Sequence, residues 1–78
     1  MELSIDDLVT IKNETITEFD ERLHDKLKET VFKIIDVKES SSLQVYSLEP
    51  FLKNSINKHI EEQISFIRFS KDDLAVAK

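Results

Sequence analysis

Four carboxylates form the sharpest chemical pattern in this chain of 78 residues: Glu14, Glu18, Glu21 and Asp25. Spaced by four, three and four residues, they fall within one narrow arc of a helix at about 100° per residue. Residues four apart on a helix rise by about 6 Å, near the phosphate spacing along one nucleic-acid strand. Joined by Asp6 and Asp7, they would imitate a phosphate track. A basic protein, such as one with a nucleic-acid-processing groove, would then bind them by electrostatic steering. The plainer reading is a solvated outer helix face, with carboxylates favoured near the helix N-terminus by its dipole. Both readings are open on the sequence alone.

Other chemistry is thinner. Asp20 and His24 are four apart and would face one metal ion on a helix, but two ligands do not make a site. His59 lies beside the apolar arc of Leu52, Ile56 and Ile60, which suits a partly buried structural histidine. The acid pairs Asp6–Asp7, Glu61–Glu62 and Asp72–Asp73 are adjacent, so their side chains diverge on a helix or strand. Glycosidase or two-metal chemistry needs carboxylates converging on one cleft. The aromatics Phe19, Phe32, Tyr46, Phe51, Phe66 and Phe69 read as core. Phe66 and Phe69 cannot stack bases from one strand face, because an odd separation flips the side.

What is missing narrows the classes further. There is no glycine and no cysteine. Phosphate-cradling loops need glycine so that backbone N–H groups can approach the anion. Zinc ribbons, iron–sulfur sites and thiol nucleophiles need cysteine. The expectation is a protein without catalytic residues, metal or cofactor. No apolar run approaches the ~18 residues of a membrane span, and no basic start precedes an apolar segment. These features, with the missing cysteine, suit the cytoplasm.

Charge is unevenly placed. Residues 1–21 hold seven acids against one base, whereas residues 22–78 hold ten bases and nine acids. The whole net charge of −5 therefore sits in the first quarter. That balance is poor for gripping a phosphate backbone, which takes clustered Lys and Arg. It suits a basic protein partner.

The elements that would position these groups follow from periodicity. Residues 5–12 are rich in β-branched side chains and read as a strand. Residues 15–29 read as a helix opened by a Thr15–Glu18 capping box, with Ile16, Phe19, Leu23 and Leu27 as its apolar stripe. Residues 31–37 and 43–48 form a hairpin. Its turn, Lys38–Ser42, has neither Gly nor Asn, so a four- or five-residue loop on a type I turn is expected. Ile35, Val37, Leu43 and Val45 are expected on its core face. Glu49–Pro50 should end the return strand and start a helix over 50–63. Residues 64–69 return to strand, Ser70–Asp73 reads as a capped turn, and 74–77 as a last strand.

This order, with Asp7–Lys12, Phe32–Val37, Val45–Leu48 and Phe69–Leu74 as its motifs, resembles small phage and prophage SH3-like β-barrel proteins. The chain departs from that pattern at Asp6, where such barrels usually carry glycine, and in the long link over residues 49–63. The resemblance implies an α+β domain spanning 1–78: a small antiparallel SH3-like barrel with two helical insertions. A ferredoxin-like β-α-β-β-α-β sandwich is the alternative. The function expected is a small non-enzymatic protein-binding module. The resemblance points to a phage accessory protein that binds and inhibits or modulates a host protein in the host cytoplasm. The acidic face Glu14, Glu18, Glu21, Asp25, Asp6 and Asp7 would form the contact. The alternatives are a nucleic-acid-binding barrel or RRM-like domain and a structural oligomer subunit.

Overall fold

The computed structural model describes residues 3–52 and 57–77. Strand β1 is Leu8–Ile11, and short helix α1, Asn13–Ile16, follows it. A 3-10 turn at Glu21–Leu23 leads into α2, His24–Glu29. Strands β2, Phe32–Ser40, and β3, Leu43–Pro50, form the central hairpin. Helix α3 is Lys58–Phe66, β4 is Phe69–Ser70, and a 3-10 turn at Lys71–Asp73 leads into β5, Leu74–Val76. The strands form one antiparallel sheet in the order β4-β3-β2-β1-β5, so β4 and β5 are its edges and the sheet is open. No helix among the described residues is long and apolar enough to cross a membrane.

The α+β class stands, but the ferredoxin-like alternative does not. A split β-α-β places another strand between the two that its helix connects. Here β1 and β2 pair directly, with Val9 opposite Phe32, although α1 and α2 lie between them in sequence.

That pairing also explains why the helix expected over 15–29 is broken. Residues 12–31 must leave β1 and return beside it, where neighbouring strands sit about 5 Å apart. A straight helix of 15 residues would carry the chain about 22 Å away. Asp20 makes the break: its backbone is extended (φ −55°, ψ 133°) and its carboxylate accepts from the Arg22 N–H at 3.0 Å. Aspartate favours caps and turns because its side chain competes for backbone N–H groups. The apolar stripe nevertheless reaches the core: Ile16 and Leu27 are buried, and Phe19 and Leu23 pack against them.

The hairpin corrects two further expectations. Its loop is only Ser41–Ser42, between the paired residues Ser40 and Leu43, and both serines have positive φ, 50° and 70°. Positive φ at both central residues is the type I′ geometry, which matches the twist of the strands well enough to hold serine there. The core faces also differ. Ile34 pairs with Leu48 but Asp36 pairs with Ser47, so Ile35 is an extra residue at a β-bulge. A bulge shifts the alternation by one. Phe32 and Ile34 point inward before it, and Val37 packs on the core after it, opposite buried Tyr46. Ile35 is left 41% exposed and Leu43 67% exposed. Of the expected core face, only Val37 packs against the core; Val45 is half-buried.

Strand β3 runs through Glu49 and Pro50, which pair with Lys33 and Phe32, so Pro50 does not start a helix. Asn57 caps α3 instead, its side-chain oxygen accepting from the His59 N–H at 2.7 Å. Leu52 is exposed, and Ile56 of the expected stripe lies outside the described residues. The helix continues through 64–66, where a strand was expected. Ile60 and Ile64 bury one face and Ile67 packs beside it, while Phe66 turns to solvent at 86% exposure. The turn at Ser70–Asp73 and the last strand form as expected.

Candidate functional site

The connection between β1 and β2 carries most of the expected contact surface. Glu14 lies on α1, Glu18 in the bend after it, Glu21 on the 3-10 turn and Asp25 in the first turn of α2. They share a segment but not the single helical arc that their spacing suggests. All four are exposed. Among the described residues the ion pairs join Arg22 to Asp20, Lys33 to Glu49 and Lys38 to Asp36, and none involves these four acids.

The capping box expected at Thr15 is absent for a definite reason. Thr15 is buried, and its hydroxyl donates to Asp73 Oδ1 at 2.9 Å, across the fold. Asp73 Oδ2 accepts from the Ser70 N–H at 3.0 Å and the Ser70 hydroxyl at 3.1 Å. The Asp73 carbonyl accepts from the Lys12 N–H at 2.9 Å. Partial burial pushes the Asp73 carboxyl up. The hydrogen bonds from Ser70 and Thr15, with the charge of Lys12, outweigh that and hold it below the ordinary carboxylate range. Asp73 thus ties α1 to the turn between β4 and β5.

Asp6 and Asp7 separate into two roles. Ser4 to Asp7 form a turn, closed by the Asp7 N–H donating to the Ser4 carbonyl at 3.0 Å, with Asp6 at φ 76° in its third position. A type II turn demands positive φ there. Asp6 is exposed, while Asp7 is half-buried and its carboxylate accepts from the Ser4 N–H at 2.8 Å. The Asp7 carbonyl also accepts from the Ile34 N–H. Asp7 therefore builds the turn, and Asp6 keeps its carboxylate in solvent.

Asp20 and His24 do not share a ligand. Asp20 binds its neighbour Arg22, with Arg22 Nη2 at 2.9 Å from Oδ2, and the Arg22 hydrogen bonds pull its carboxyl down to about 2. The His24 ring nitrogen Nε2 lies 2.9 Å from the Phe19 carbonyl. His59 is exposed, contrary to the structural role expected for it, with Nε2 3.4 Å from Gln63 Nε2. It lines an open cleft of about 310 Å³ with Asp20, Arg22, Asn57 and Gln63. This meeting of the 3-10 turn with α3 had no signal in the sequence, because the two segments lie almost forty residues apart. Nowhere among the described residues do three or more His, Asp or Glu side chains converge as metal ligands.

Among the aromatics, Phe32, Tyr46 and Phe69 are buried and Phe19 packs against the core, but Phe51 and Phe66 are exposed. No protein-family model matches this chain, and searches of curated proteins and of solved structures return no match.

Proposed function

We propose that this chain is a non-enzymatic protein-binding module and that the exposed acids of the β1–β2 connection meet a basic partner. One observation carries the reading. Glu14, Glu18, Glu21 and Asp25 all face solvent without an ion pair among the described residues, while Asp20, Asp36 and Glu49 are each paired. Asp6 adds a fifth exposed carboxylate, and Asp7 contributes by building the turn that presents it. Lys12, Lys26 and Lys28 are exposed on the same connection, as is Glu29, so the surface is net negative and not of one sign. A net negative surface still raises encounter rates with basic ones.

The SH3-like barrel belongs to the same proposal. The strand order β4-β3-β2-β1-β5 and the 3-10 turn between the last two strands support it. So does Asp6, whose positive φ occupies the place where the phage barrels carry glycine. On this reading the chain is a phage accessory protein in the host cytoplasm. Its partner is a basic, nucleic-acid-processing host protein that it inhibits or modulates.

The test is affinity capture with identified partners, repeated with Glu18→Lys/Glu21→Lys. Circular dichroism should show the variant folded, since neither side chain caps a helix or packs in the core. Capture should be lost, and the parent's association rate should fall as salt screens the field. A folded variant that captures the same partner with parental affinity would return the acids to an ordinary solvated surface.

A further inference from the structure

We draw no further inference here: the strongest candidate, the apolar groove that Val31 forms with the exposed Phe51 and Leu52 where the chain leaves β3, carries no proposal because nothing in the structure shows what covers it.

Discussion

Replacing Ile34 with Ala should unfold much of this protein's stability margin, whereas the same change at Ile35 should hardly matter. Ile34 is fully buried between Phe32 and the β3 residue Leu48, while its neighbour Ile35 sits at the bulge with 41% exposure. Truncating a fully buried isoleucine costs about 2–5 kcal/mol, from lost transfer energy plus the cavity left behind. A domain of this size has a total stability of about 4–12 kcal/mol, so the change removes a large share of it. At Ile35 the lost burial is partial and solvent fills the space, so about 0.5–1 kcal/mol is expected. With a urea slope of about 1 kcal/mol/M, the Ile34→Ala midpoint should fall by about 2–5 M and the Ile35→Ala midpoint by at most about 1 M. Urea titration followed by far-ultraviolet circular dichroism reads both. The fluorescence of Tyr46, the single tyrosine in a chain without tryptophan, gives a second probe from inside the core. Equal losses, or a larger loss at Ile35, would show that the strand has no bulge at this position and that its faces are assigned the wrong way round.

Ser41→Asn with Ser42→Gly should raise the urea midpoint by about 1 kcal/mol equivalent, because both serines hold the positive φ that Asn-Gly adopts readily. Asp6→Gly should stabilise by about 0.5–1 kcal/mol for the same reason, less the chain entropy that glycine adds to the unfolded state. Thr15→Val should cost about 1 kcal/mol in chemical denaturation, since it removes the hydroxyl that donates to Asp73. Asp73 is held below its ordinary value of 3.8, so its carboxylate stabilises the fold above that pH, and the contribution is lost as pH falls through the folded value. Asp73→Ala should therefore lower stability at neutral pH and flatten the acid limb of a stability–pH curve below about 3.8. Phe66→Ser should leave the midpoint unchanged, because at 86% exposure the ring has almost no burial to lose.

The sequence by itself determined which residues prefer water and which local signals start or end an element. The stripe Ile16, Phe19, Leu23 and Leu27 does reach the core, the Ser70–Asp73 turn is capped, the first strand lies inside the β-branched run 5–12, and the last strand falls within 74–77 as expected. The acids of the first connection face solvent because burying an unpaired carboxylate is costly. Tertiary structure decided what local patterning left open. Residues 64–66 suit both a period of 2 and a period of 3.6; helix won because Ile60 and Ile64, four apart on one helix face, both reach the core, with Ile67 packing beside them just past the helix end. Pro50 could start a helix or end a strand, and pairing with Phe32 kept it in β3. The expected long helix gave way at Asp20 because its two ends had to meet at the β1–β2 ladder. One extra residue at Ile35 turned that side chain out of the core while Ile34 and Val37 point in, and no local signal marks it, since alternation looks unbroken until the partner strand sets the register. The Thr15–Asp73 bond spans 58 residues, so its two side chains are assigned to each other only when the sheet brings α1 beside β5.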